Sequence, residues 1–215
     1  MQKKWIWYSI LLLVFLGALL LVYETTKEDQ RAVKPTIQEE TGIMEESNLM
    51  KTVKGILIVN KTYGLPQDYN PGTNPEASDA VNQLSAAALN DGHSITVLSG
   101  FRDYNYQVNL YKQYVEKFGE EEASKVSAKP GYSEHQTGLS FDVGKIDKDY
   151  GKTPAGIWLK ENCQKFGFII RYPEGKENIT GYQYEPWHIR YVGVKAATAI
   201  MDQKITLEEY LELDK

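Results

Sequence analysis

Cysteine is nearly absent from this chain. The single thiol, Cys163, excludes an intramolecular disulfide and any zinc module built from paired cysteines. It lies in the helix-like run WLKENCQKFGF with no histidine near it, and reads as a small packed residue rather than a nucleophile. Histidine is scarce too, with three in 215 residues. An excess of positive charge is also missing. Lys3 and Lys4 are the only charged residues before Glu24, which leaves 22 cations against 29 anions in the rest of the chain. That balance argues against a nucleic-acid partner, which rewards a basic face. There is no internal repeat. Hydrophobic residues make up 42% of the chain and tyrosine fills 15 positions, enough to bury a core and to exclude disorder of the chain as a whole.

Charge is wholly missing from WIWYSILLLVFLGALLLVY, residues 5–23. At about 1.5 Å per residue this run spans roughly 28 Å, close to the hydrocarbon thickness of a bilayer. A run this long with no polar face does not suit a buried core helix. It ends LLLVYETT, without the small-residue pattern of a signal-peptide cleavage site, and no cysteine follows that could carry a lipid. Residues 1–23 therefore read as a membrane anchor, with a cleaved signal sequence and a secreted product as the competing reading. Lys3 and Lys4 before the run place the N-terminus in the cytoplasm and the remainder outside. Residues 24–50 are polar and acidic, a solvated tether. Residues 51–215 make one domain of ordinary size.

Within that domain, VKGILIV at 53–59 reads as a short buried strand. Ala77, Ala80, Val81, Leu84, Ala87 and Ala88 have helical spacing, with Gly92 as a stop. SITVLSG at 94–100 is a second strand. Asp103 is placed to cap a helix running to Phe118, with Leu110, Tyr111, Tyr114 and Phe118 on one face. The stretch AKPGYSEHQTGLSFDVG begins as a loop and ends as a strand. Residues 155–166 look helical with Gly167 as C-cap, FIIRY and 183–192 as strands, and 194–201 and 206–213 as closing helices. Strands and helices do not alternate regularly, which predicts an α+β domain with a mostly antiparallel sheet flanked by helices.

Two stretches carry chemistry. In SEHQTGLSFDV, His135 stands seven residues before Asp142, with Gly138 between them; in YEPWHIRYVG, His188 stands three residues after Glu185. A catalytic zinc takes three ligands from His, Asp, Glu or Cys and keeps a fourth position open. His135, Asp142 and His188 would supply that set and leave Glu185 beside the metal as general base. The seven-residue interval does not fit one helix face but suits a loop feeding a strand, with Gly138 allowing the turn. Spacing alone leaves a second reading open, in which these are surface polar residues or a structural His–Asp hydrogen bond. His93 lies outside both stretches, as a turn residue. Arg171 and Arg190 sit in expected strands near the site, with salt bridging as their default role. Tyr132, next to Ser133, could line a cleft.

Together with SGFRDYNYQ at 99–107, these stretches closely resemble the VanY-type and LdcB-type carboxypeptidases that trim peptidoglycan stem peptides. Those enzymes share the zinc-dependent fold of D-Ala-D-Ala peptidases and the Hedgehog signalling domain. The pattern S-x-H-x-x-G-x-[AS]-x-D matches at Ser133, His135, Gly138, Ser140 and Asp142, and E-x-W-H at Glu185, Trp187 and His188. The likeness covers about residues 53–212 and departs at no motif position. It implies Zn2+ held by His135, Asp142 and His188, Glu185 as general base, and Arg102 as stabiliser of the oxyanion. It implies that Gln107 and Ser133 contact the substrate, Ser133 at its terminal carboxylate, while Trp187 either walls the pocket or belongs to the core. The implied function is a D,D-carboxypeptidase removing the terminal D-Ala from stem pentapeptides at the outer face of the cell membrane. An L,D-carboxypeptidase acting on tetrapeptides is the nearest alternative. A non-catalytic wall-binding module of the same fold is the alternative from another class.

Overall fold

The computed structural model describes residues 50–213. The apolar run at 5–23 and the tether at 24–49 lie outside the described residues. Among the described residues no helix is long and apolar enough to cross a membrane.

A four-stranded antiparallel sheet carries the domain. Its strands are β3 (Val97–Ser99), β4 (Ser140–Val143), β5 (Phe168–Tyr172) and β6 (Glu185–Tyr191), in the spatial order β3-β4-β6-β5. The register pairs Phe141 with Ile189, and Asp142 with His188. Side chains on a strand alternate between faces, so this register sorts the sheet into two unlike sides. On one, Phe141, Val143, Phe168, Ile170, Trp187 and Ile189 build the main core. On the other, Ser140, Asp142, Arg171, His188 and Arg190 are buried polar groups.

The apolar side is closed by helices α1 (Pro75–Asn90) and α4 (Pro154–Asn162). Helix α1 starts where the Asn74 side chain accepts from the Ala77 N–H and Pro75 fills the first turn. It buries Ala77, Val81, Leu84 and Ala88, one stripe at helical spacing. Cys163 is buried in the same core, and burial pushes its thiol up to about 12, which makes it inert. A second cluster joins Ile58 and Ile169 to α6 (Val194–Gln203) and α7 (Leu207–Tyr210).

Three sequence expectations are corrected. The stretch at 53–59 is not one strand. It is split between β1 (Lys51–Val53) and β2 (Ile56–Ile58), a hairpin whose turn residues Lys54 and Gly55 both have positive φ. Two left-handed residues in a two-residue loop reverse the chain there. Asp103 does cap α2 (Tyr104–Phe118) by accepting from Tyr106 N–H, but the buried positions are Gln107 and Tyr111. Phe118 is exposed and faces a cleft rather than the core. The helical stretch 206–213 shrinks to α7, the four residues Leu207–Tyr210. Short helices α3 (Glu120–Val126) and α5 (Glu177–Thr180) complete the α-helices among the described residues.

Gly138 is the tightest joint. Its φ is +70°, and a Cβ there would clash with the Gly72 carbonyl oxygen. Its own carbonyl accepts from the Asn74 N–H, which fastens the turn before β4 to the loop before α1. Gly138→Ala is expected to cost at least about 2 kcal/mol of stability, from the left-handed backbone and the clash together. Denaturant unfolding measures it; an unchanged midpoint would contradict this account of the turn.

Candidate metal centre and its cleft

Each candidate ligand is placed by local structure. His135 lies on a single 3-10 turn, Glu134–Thr137, which ends at the left-handed Gly138. Asp142 lies on β4 and His188 directly across from it on β6. One ligand atom from each of the three residues falls within 4.8 Å of the other two, and all three residues are buried.

The polar atoms here are unbalanced without a cation. His135 Nδ1 lies 2.7 Å from the Gly100 carbonyl oxygen, which can only accept. Nδ1 therefore carries the proton and Nε2 the lone pair. That lone pair faces Asp142 Oδ2 at 3.3 Å and has no hydrogen-bond partner. Two acceptors facing each other in a buried site fit a shared positive ion. On the other side, His188 Nδ1 lies 3.2 Å from Asp142 Oδ1. Two imidazoles and a carboxylate in this arrangement suit zinc.

Glu185 is buried at the start of β6, with Oε2 3.9 Å from His188 Nδ1. Burial pushes its carboxyl up to about 7, the nearby His188 charge opposes this, and Asp142 adds to it. A carboxylate poised near neutrality can both take and return a proton. Arg102 donates from Nη1 to Ser99 Oγ at 3.0 Å and to Asp142 Oδ2 at 3.3 Å, while its buried Nε has no partner.

The cleft above these groups has a volume of about 540 Å³. Gln107, Ser133 and Trp187 all line it. Gln107 donates to the Ala128 carbonyl at 2.7 Å and to Ser127 Oγ at 3.3 Å, which leaves its buried Oε1 free as an acceptor. Trp187 lines the cleft and also belongs to the main core. Tyr132 lines a neighbouring pocket with Lys61 and Lys129 and does not line this cleft. His93 is clear of the cleft; its N–H donates to the Ala88 carbonyl where α1 ends, and its ring lies 6.3 Å from that of Trp158.

Sequence reasoning missed Glu134. This carboxylate is fully buried and pairs with Arg171 Nε at 2.7 Å and Arg190 Nη1 at 2.9 Å. Burial works against its charge, but the two guanidinium groups outweigh that and hold it well below the usual carboxylate range. Arg171 pairs further with Glu208. The signal was present: arginines inside the apolar strands FIIRY and EPWHIRYV must find buried anions.

The family model described as VanY, D-alanyl-D-alanine carboxypeptidase, matches residues 71–194. A D-alanyl-D-alanine carboxypeptidase of Enterococcus faecium is 35% identical over 200 residues, covering 93% of this chain and 59% of that one. The chain thus spans about three-fifths of that relative. Among solved structures, the LdcB LD-carboxypeptidase superposes with a TM-score of 0.70 at 38% identity, covering 78% of this chain and 95% of that one. The vancomycin resistance D,D-pentapeptidase VanY, solved as a mutant with Zn(II), superposes with a TM-score of 0.65 at 35% identity, covering 72% and 97%.

The two imidazoles differ in a way that metal binding should report. Burial pushes His135 down, so it is neutral and ready to bind. Burial also disfavours the His188 cation, but the neighbouring Asp142 and Glu134 carboxylates outweigh it and raise His188 to about 9 in the metal-free chain. One proton must then leave as zinc enters. Zinc affinity is expected to rise about tenfold per pH unit from pH 6.5 to 8.5 and to level off above about 9. Competition with a chromophoric chelator measures it, and a slope of zero or two would contradict the assignment. On the matched family model and the aligned relative, the chain belongs to the VanY family of D-alanyl-D-alanine carboxypeptidases.

Proposed function

We propose that this chain is a zinc-dependent D,D-carboxypeptidase that removes the terminal D-Ala from peptidoglycan stem pentapeptides. The observation that carries the reading is the buried His135–Asp142–His188 set with the Glu185 carboxylate beside it, in a cleft open to a peptide end. Zinc, when bound, acidifies water at the site and polarises the scissile carbonyl.

The chain's own residues supply the rest. Glu185 takes a proton from the attacking water and returns it to the amine of the departing D-Ala. Arg102, anchored through Nη1 to Asp142 and Ser99, turns its remaining N–H groups to the oxygen on which negative charge develops. The Gln107 Oε1 acceptor is suited to a substrate N–H, and the Ser133 hydroxyl to the terminal carboxylate. The likeness to an LD-carboxypeptidase supports a second reading, cleavage of the tetrapeptide by the same groups. The uncharged run at 5–23 supports attachment to the cell membrane with this domain facing the wall.

The first test is zinc-loaded protein incubated separately with stem pentapeptide and tetrapeptide, with products read by mass spectrometry and a chelator control. Loss of one alanine from the pentapeptide alone is expected; loss from the tetrapeptide would move the assignment to L,D. Glu185→Gln is expected to lower kcat by about 10²- to 10⁴-fold with zinc still bound. Retained turnover would remove Glu185 from the mechanism. With Glu185 at about 7 in the metal-free chain and a cation lowering it further, the acidic limb of kcat/KM should fall at or below pH 7.

A further inference from the structure

Glu134 is more than a structural counter-ion. Its Oε1 takes the two arginines, and its Oε2 accepts from Ser140 Oγ at 3.2 Å and lies 3.6 Å from His188 Nε2. At 3.6 Å the last contact is longer than an ideal hydrogen bond. His188 Nε2 is nonetheless buried with no hydrogen-bond partner, and this carboxylate is the anion in front of it. The ring is held between His135, at 4.9 Å and nearly perpendicular, and Tyr172, also at 4.9 Å. A flipped ring would turn carbon atoms toward both Asp142 and Glu134, so the two carboxylates fix one orientation.

The charges around Glu134 are closed. Glu134 and Glu208 balance Arg171 and Arg190, all deeply buried. Glu134 thus stays an anion, and the only polar role left to it is as an acceptor. We propose that Glu134 is a positioning residue for the metal centre: its carboxylate keeps the proton of His188 on Nε2, so that the Nδ1 lone pair is presented beside Asp142 for zinc. The adjacent residues Glu134 and His135 would then serve both imidazoles from one 3-10 turn, whose successive side chains point about 120° apart. His135 binds directly, and Glu134 orients its counterpart. A carboxylate behind a metal-bound histidine fixes the tautomer and raises ligand basicity. The inference rests on the zinc reading of this site.

The test compares wild type, Glu134→Gln and Glu208→Gln in the full chain. Glu208 belongs to the same charge network through Arg171 but does not touch His188. Zinc affinity is read by chelator competition, and metal-free stability by thermal unfolding. Glu134→Gln is expected to lose 10- to 100-fold in zinc affinity, and Glu208→Gln less than threefold, although both lower the melting temperature. Equal losses in the two variants, or none in Glu134→Gln, would overturn the proposal. If Glu134→Gln does not fold, the ring ¹⁵N shifts of zinc-loaded wild type decide: a protonated Nε2 on His188 is expected, and zinc on Nε2 would overturn the assignment. Failure of wild type to bind zinc would instead defeat the reading of the site itself.

Discussion

Two arginines buried in the sheet impose the constraint on which the rest of the domain depends. Arg171 on β5 and Arg190 on β6 have no exposed surface, so each must find an anion inside. Glu134 comes from the turn before β4 and Glu208 from the C-terminal helix α7. Arg190 also donates to the Leu57 carbonyl of the N-terminal hairpin. One charge network therefore joins both ends of the described domain to the floor of the cleft. Removing one member leaves an unpaired buried charge, which costs about 3–5 kcal/mol. The candidate metal ligands His135, Asp142 and His188 stand beside this layer, and their positions inherit its rigidity.

Above that layer, strand alternation does the sorting. Phe141 and Val143 face the core while Ser140 and Asp142 face the polar side; Trp187 and Ile189 face the core while His188 and Arg190 face the polar side. The Asp142–His188 pairing brings residues 46 positions apart into hydrogen-bonding contact. A one-residue slip of either strand in this register would turn its candidate ligand into the apolar core. The apolar helices on the other side make such a slip costly, so core packing and ligand placement are one constraint. Gly138 contributes the remaining piece, a left-handed turn that sets His135 against the edge of β4.

Much of this is legible in the sequence. The helix stripe of α1, the Asp103 cap, the Gly167 stop and the packed Cys163 follow from local periodicity and turn chemistry. The hairpin at 51–58 was not legible, because its turn residues Lys54 and Gly55 sit inside an apolar run that reads as one strand. Nor was the exposure of Phe118. Helical periodicity identifies a face, but the cleft on that side replaces the neighbour that a core face would need.

The sequence by itself determined the chemistry available to this protein. With a single cysteine, packed in the core, histidine and carboxylate remain as the candidate metal-ligating groups, and two motifs point to His135, Asp142, Glu185 and His188. What it could not decide is which atoms face each other. The tertiary structure alone sets the Nε2 lone pair of His135 against a carboxylate oxygen, points Nδ1 of His188 at the same carboxylate, and places Glu134 behind it. The physical reason is that ligand geometry depends on strand register and on the partners of buried charges, contacts between residues far apart in the chain that no local pattern encodes.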